Sequence, residues 1–273
     1  MNKEILDDEE ILKRAADFSE ESIKKFKKLD PKEPPFGTEY DIKSRTGTVS
    51  RMELKWVAIA LRYFPNALFE IMKGRIGKET AERIEYDYGR LAGMDIHARF
   101  RALGMGNVES MMAVMQMASY TGWGIPYMQH AEGIFSTIVS AFEGLSKKNR
   151  QHPSMKEFVD TFKSDMERLN AKVEMISDKK AGVITKMYWI NSFVAESYLT
   201  KNKRYKEPVC MFLSGITHGT MEGFSSALAE EIEERSNVKL PFGLSVAHIK
   251  EISCKVQGKR FCTFEYALEI VKK

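Results

Sequence analysis

Three cysteines and one glutamate in the C-terminal third constrain the fold of this 273-residue chain more than any other feature. Glu251, Cys254 and Cys262 form the pattern E-x-x-C followed by seven residues and a second cysteine, and Cys210 lies one predicted helix earlier. The chain contains no other cysteine, so every thiol belongs to this pattern. If the four residues hold one metal ion, the fold has to bring two distant segments together.

Cys254 and Cys262 are predicted to face each other across a β-hairpin. Two strands that pair around Gly258 place them directly opposite, where Cβ atoms lie within about 5.5 Å. This geometry suits two ligands of a zinc ion, two buried reduced thiols or a disulfide. Glu251 lies three residues before Cys254, so it reaches the same side only if the strand turns or bulges at residues 252–253. Three thiolates and a carboxylate would fill all four tetrahedral positions, which predicts a structural rather than a catalytic zinc ion.

The charge balance and the N-terminal sequence limit the classes of partner. Lys and Arg number 42 and Asp and Glu 38, and the two signs alternate along the chain, so no concentrated basic face favours nucleic acid. The acidic N-terminus lacks the apolar run of a secretory signal, and no apolar stretch is long enough to predict a membrane-spanning helix. We therefore expect a cytoplasmic protein, in which paired thiols favour metal binding over disulfides.

The apolar periodicity predicts an α+β fold in which an antiparallel sheet packs against helices. Residues 1–50 are expected to form an N-terminal helical arm and a linker. Residues 51–273 are expected to form the main domain, with a helical insertion at about 143–171. A polar turn at residues 178–182 between two apolar segments predicts a β-hairpin.

Two glycine-containing helices are predicted to pack closely. One carries Gly89 and Gly93, the other Gly215 and Gly219, and both pairs are spaced four residues apart. Glycines at this spacing weaken a helix, so their recurrence indicates a close helix contact, either within the chain or between subunits. The shared spacing also suggests a weak internal duplication. The buried stripe of the first helix is predicted to be Ala81, Ile84, Tyr88 and Leu91.

The C-terminal pattern resembles the signature of the 4-vinyl reductase domain, an α/β ligand-binding fold of archaeal proteins and of phenol- and xylene-responsive bacterial activators. The corresponding residues are Cys210, Gly215 and Gly219, followed by the E-x-x-C pattern and its second cysteine. The resemblance covers roughly residues 55–270. It implies the fold that also occurs in vesicle-tethering subunits, a homodimer, and a structural zinc ion held by Cys210, Glu251, Cys254 and Cys262.

The same resemblance implies a ligand pocket. Trp189 in the segment YWINSF and His130 in the segment MQHAEGIF match positions that bind a phenol hydroxyl inside an apolar pocket in the family. Tyr127 and Phe135 are expected to supply apolar walls. Without the resemblance, Trp189 would be interpreted as a core aromatic residue and His130 as an ordinary surface or core histidine.

These observations favour a sensor-type domain that binds a small aromatic or apolar molecule. The alternatives are a reductase that acts on a vinyl or tetrapyrrole-like substrate, and an assembly module. The sequence shows no glycine-rich dinucleotide loop, no nucleophile–base arrangement and no open metal position, which disfavours an enzyme. It also shows no Walker A motif and no helix-turn-helix, so we expect no direct contact with nucleic acid.

Overall fold

The structure, a computed structural model, describes residues 7–28, 67–102, 104–120, 124–147, 153–199 and 205–273. In these ranges five antiparallel strands pack against helices, which confirms the predicted α+β class. The helices are α1 (Asp8–Lys28), α2 (67–76), α3 (Lys78–Ala102), α4 (Asn107–Tyr120), α5 (Ala131–Lys147), α6 (Met155–Asp160), α7 (Lys163–Arg168), α8 (Phe193–Leu199) and α9 (Met211–Ser236). The strands are β1 (Ile125–Met128), β2 (Lys172–Ser177), β3 (Lys180–Ile190), β4 (Phe242–Ser253) and β5 (Cys262–Lys272).

Strand β3 organises the sheet, whose order is β1-β3-β5-β4. Both β1 and β2 pair with the same edge of β3, β1 near its end and β2 near its start. The β2–β3 hairpin turns at residues 178–179, which confirms the hairpin predicted there. Alternate β3 side chains, including Val183, Met187 and Trp189, point into the main core, as the two-residue period of a strand requires.

Helices α3 and α9 lie side by side in the same direction and touch through their glycines. A Cβ atom added at Gly93 would overlap the carbonyl oxygen of Ile216, and one added at Gly219 would overlap that of Arg90. Only glycine allows two backbones to approach so closely. Of the two alternatives for the glycine spacing, the structure therefore shows the contact within the chain.

The α3–α9 contact has approximate twofold symmetry. Gly89 on α3 is equivalent to Gly215 on α9, an offset of 215 − 89 = 126 residues. With this offset, the residues that each helix contacts on the other are also equivalent. An added Cβ at Gly89 would meet Phe212 O and Ile216 N, and one at Gly215 would meet Tyr86 O and Arg90 N. This pattern agrees with the duplication that the shared glycine spacing suggests.

The predicted buried stripe of α3 is wrong except at Ala81. Ile84, Tyr88 and Leu91 are 41%, 50% and 67% exposed, whereas Glu85 is buried with Gly89. The reason is that the glycine face of α3 packs against α9. That contact leaves the three apolar side chains largely at the surface.

The opposite face of the sheet meets α1. Ile11 and Ala15 of this helix are buried in a small cluster with Ile190 and Phe261. The helix expected in the N-terminal arm is therefore present over Asp8–Lys28 and packs on the sheet of its own chain. The linker expected before residue 50 lies outside the described residues, and the boundary between arm and domain remains a prediction.

Two short helices, α6 and α7, lie within the predicted helical insertion at 143–171. In the part of the chain that the structure describes, no helix is both long and apolar enough to cross a membrane.

Candidate metal centre and ligand cavity

Cys210, Glu251, Cys254 and Cys262 converge in the interior, with one donor atom of each within 4.8 Å of all the others. The sulfur–sulfur distances are 3.8 Å for Cys210–Cys254, 3.6 Å for Cys210–Cys262 and 3.4 Å for Cys254–Cys262. Two sulfurs bound to one tetrahedral zinc ion at about 2.3 Å lie roughly 3.8 Å apart. The donor set and its spacing therefore fit a zinc ion, and the cluster could hold one.

Local backbone features bring these four side chains together. Cys210 directly precedes α9 as its N-cap residue. The pairing of β4 with β5 shifts between Glu251 and Ser253, so the strand has the irregularity that the sequence requires for Glu251 to join the site. A short 3₁₀ turn and Gly258, whose φ of 85° suits glycine, then lead back to Cys262 at the start of β5.

Hydrogen bonds orient the cluster and leave one oxygen without a partner. The backbone N–H of Cys210 donates to Oε2 of Glu251 at 2.8 Å. Oε1 of the same carboxyl is buried and has no hydrogen-bond partner. The hydroxyl of Ser192 lies 3.4 Å from the Cys210 sulfur and is fully buried. A buried carboxylate oxygen without a partner is costly, and a metal ligand at this position would satisfy it.

The protonation of the cluster reflects burial and proton sharing. Burial raises the pKa of the Cys210 thiol well above its usual value. Hydrogen bonds from the Cys210 and Cys262 thiols lower the pKa of Cys254. Burial raises the pKa of Glu251 to about 9. Without a metal, Cys254 therefore loses its proton more readily than Cys210 and Glu251 do. A bound cation would displace the remaining protons.

A small cavity lies beside Trp189, against the first half of α9. The cavity volume is about 30 Å³, which leaves room for one or two water molecules. The Trp189 ring is 4% exposed, and its Nε1–H meets no acceptor. The wall is almost entirely apolar: Met111, Val114, Ala118, Pro126, Met187, Trp189, Ile216, Thr217, Thr220 and Met221.

The structure places only one of the four predicted pocket residues at this cavity, Trp189. His130 is exposed in the turn between β1 and α5, where its carbonyl accepts from Ile134 N. Tyr127 pairs with Tyr188 on the opposite face of the sheet from Trp189. Phe135 is buried edge-to-face against Phe224 and does not line the cavity.

Three polar or adaptable residues of the two sites were not predicted from the sequence. Ser192 follows Trp189 in the YWINSF segment, but nothing in the sequence places its hydroxyl beside Cys210. Thr217 lies seven residues after Cys210, two helical turns along α9, and that spacing is the one signal that could have located it. Met187 alternates with Trp189 along β3 and so shares its face.

No family model and no curated protein sequence matches this chain. Eleven solved chains are similar in structure. One is the phenol-responsive sensory domain of the transcription activator PoxR with phenol, at 12% identity and a TM-score of 0.40, covering 78% of this chain and 74% of that chain. A likeness this distant carries no inference about function.

Proposed function

We propose that this chain is a ligand-binding domain of the sensor type, which encloses a small hydroxylated aromatic molecule beside Trp189 and is stabilised by a structural zinc ion. The observation that carries the proposal is the indole N–H of Trp189, which is buried without a hydrogen-bond acceptor in a side chain that lines the apolar cavity. A buried donor without a partner costs about 1–3 kcal/mol, and a ligand oxygen would remove that cost.

The polar groups of the cavity match a hydroxyl group. The Trp189 N–H can only donate. The hydroxyl of Thr217 donates to the carbonyl of Leu213 at 2.8 Å, so its oxygen remains an acceptor. A ligand hydroxyl would accept from the first and donate to the second, while an aromatic ring would contact the apolar wall.

The size of the cavity requires the wall to adapt. The present space holds little more than water, so an aromatic ring needs neighbouring side chains to move. Met111, Met187 and Met221 line the cavity. Methionine is unbranched and changes rotamer at low cost, so these three residues are suited to make room.

The ligand hypothesis is tested by titrating phenol into the full chain by calorimetry. We expect saturable binding that weakens about tenfold in Trp189→Phe, because this variant keeps an aromatic ring and loses the N–H donor. Tyr188→Phe, on the opposite face of the sheet, is the matched control and should leave the affinity unchanged. His130→Ala tests the role that the sequence predicts for that histidine: a loss of affinity would assign it to the site.

Zinc would be held by Cys210, Glu251, Cys254 and Cys262, and would link the start of α9 to the end of the sheet. When bound, it would supply structural cross-linking rather than a reactive position, because the protein ligands fill its coordination. Native mass spectrometry should show one zinc per chain that is lost with a chelator. Cys254→Ser should abolish it, whereas a folded wild-type chain that carries no zinc after purification with zinc would contradict this part of the proposal.

A further inference from the structure

The proposed zinc ligands lie on two chain segments that are far apart in sequence. Cys210 ends the segment 205–210, which precedes α9, and Cys254 opens the 3₁₀ turn that follows β4. These segments also meet beside the cluster, where the backbone N–H of Tyr205 donates to the carbonyl of Val256 at 3.2 Å. The two halves of the metal centre are therefore joined by contacts other than the ligands themselves.

The side-chain amide of Gln257 makes a second link between the segments. Its Oε1 accepts from the backbone N–H of Cys254 at 2.8 Å, and its Nε2 donates to the carbonyl of Lys206 at 2.9 Å. One side chain thus holds the backbone of a ligand residue on one segment and the backbone four residues before Cys210 on the other. Neither bond uses the side chain of a ligand, so both are compatible with a bound ion.

Gln257 also orients the sulfur of Cys254. The backbone N–H of Gln257 donates to the Cys254 side chain while the Gln257 side chain accepts from the Cys254 N–H, which is the reciprocal pattern of a capping box. A donor aimed at a sulfur atom favours its thiolate form, and the thiolate is the form that binds a metal ion. The turn therefore fixes both the backbone and the thiol group of this ligand.

The residue type at position 257 suits both contacts. The first contact needs an acceptor and the second needs a donor, and a primary amide carries one of each. An ionised glutamate supplies only acceptors and a lysine only donors, while methionine has a similar length but no donor. Asparagine has the same amide on a side chain that is shorter by one methylene group. Glutamine is thus the side chain that can span the two segments.

We propose that Gln257 is a positioning residue of the metal centre, which keeps the four ligand residues assembled when no ion is bound. This proposal rests on the zinc ion of the proposed function. With the segments held by Gln257, zinc enters and leaves a folded site, and it does not have to draw two free segments together. An assembled site binds more tightly than a loose one, because less conformational freedom is lost on binding.

The first test uses the metal-free chain and does not depend on zinc. The chelated wild type should react slowly with a chromogenic thiol reagent, because its three thiols are buried. Gln257→Met should react about tenfold faster, because the loss of two hydrogen bonds lets the segments separate locally. Gln129→Met, the same substitution in the turn between β1 and α5, should react at the wild-type rate. Equal rates in wild type and Gln257→Met would overturn the proposal.

The same reaction separates positioning from a general loss of stability. Local opening exposes little surface, so the rate for Gln257→Met should not change in low concentrations of urea. A rate that rises steeply with urea would show that the substitution only promotes global unfolding, and would also overturn the proposal. If Gln257→Met does not fold, Gln257→Asn replaces it. This variant should react several-fold faster than the wild type, and an equal rate is the contrary result.

The second test measures the ion. Zinc affinity, determined by chelator competition, should fall at least about tenfold in Gln257→Met and remain unchanged in Gln129→Met. Unchanged affinity in Gln257→Met, in a wild type that binds zinc, would overturn this proposal and leave the proposed function intact. A wild type that binds no zinc would contradict the proposed zinc ion, and with it the role of Gln257 toward zinc.

Discussion

Trp189 and Glu85 differ from most buried polar side chains because each keeps a polar atom without a hydrogen-bond partner. A folded chain ordinarily satisfies such atoms, since each one left unpaired lowers stability. The indole offers a donor in an apolar setting, and the carboxyl offers an acceptor in a negative one.

The raised pKa of Glu85 predicts a pH-dependent loss of stability. Its pKa rises from 4.5 to about 8 on folding, so the folded state holds this proton where the unfolded state has lost it. The free energy of unfolding should fall as the pH rises from about 4.5 to 8, by on the order of 3 kcal/mol from this residue. Glu85→Gln should flatten the profile, as measured by urea unfolding at pH 5 and pH 8. Parallel profiles for the two proteins would contradict the assignment.

Ser192 is expected to increase the zinc affinity of the cluster through its contact with the Cys210 sulfur. Ser192→Ala removes a hydrogen bond to a proposed ligand without removing the ligand itself. Zinc affinity, measured by competition with a chromophoric chelator, should fall about tenfold. Ser197→Ala, which removes a buried hydroxyl that donates to the Val194 carbonyl, is the control. Equal zinc affinity of the two variants would show that Ser192 does not act on the metal.

At the scale of elements, the closest contact is the parallel pair α3 and α9. Its glycines leave no space for a methyl group, because carbonyl oxygens of the partner helix occupy it. The contact is repeated with approximate symmetry, so disturbing either helix should affect the pair to a similar degree.

Gly219→Ala and Gly93→Ala are each expected to destabilise the protein by about 1–3 kcal/mol, because the added methyl groups meet backbone. Gly74→Ala, which meets no atom within 4 Å in α2, should instead raise stability by about 0.5–1 kcal/mol. Thermal and urea unfolding measure both effects. A neutral result at Gly219 would mean that the helices can separate without cost.

The sequence predicts those features that local pattern determines. The β2–β3 hairpin follows from a turn between two apolar segments. Symmetry around Gly258 predicts that Cys254 and Cys262 lie close together, and their sulfurs are 3.4 Å apart, although Cys254 lies just beyond the last paired residue of β4. The buried face of α3 was not predictable, because an apolar stripe and a glycine stripe compete and only the position of α9 decides between them. For the same reason His97, which lies one helical turn after Gly93, is buried beside Gly223.

The ligand cavity was predictable in part. Trp189 could be located from its motif, but the other wall residues come from α4, β1 and α9, whose relative placement depends on tertiary packing. His130 illustrates the limit. Its distance from Trp189 in space depends on which edge of β3 the strand β1 occupies, and the sequence does not specify this.

At the scale of the whole molecule, the metal centre and the ligand cavity share supporting elements. Trp189 on β3 lies directly opposite Cys262 on β5. Cys210 precedes α9, and Thr217 and Met221 of that helix line the cavity. The cluster therefore lies at the start of the helix that lines the cavity and on the strand next to β3.

Removal of the metal is expected to weaken phenol binding by about tenfold, and phenol should strengthen zinc binding by the same factor, because coupling between two sites is reciprocal. Calorimetric titration of phenol into zinc-loaded and chelated protein measures the first effect. Chelator competition with and without phenol measures the second. Equal phenol affinities in the two forms would show that the sites are independent.

The position of Cys210 at the start of a 26-residue helix has an electrostatic consequence. The N-terminus of a helix carries a partial positive charge from its aligned peptide dipoles. Three thiolates and a carboxylate carry more negative charge than a zinc ion neutralises, so the loaded centre would remain anionic. Helix α9 points its positive end at that charge, and its macrodipole would stabilise the anionic loaded centre in the interior.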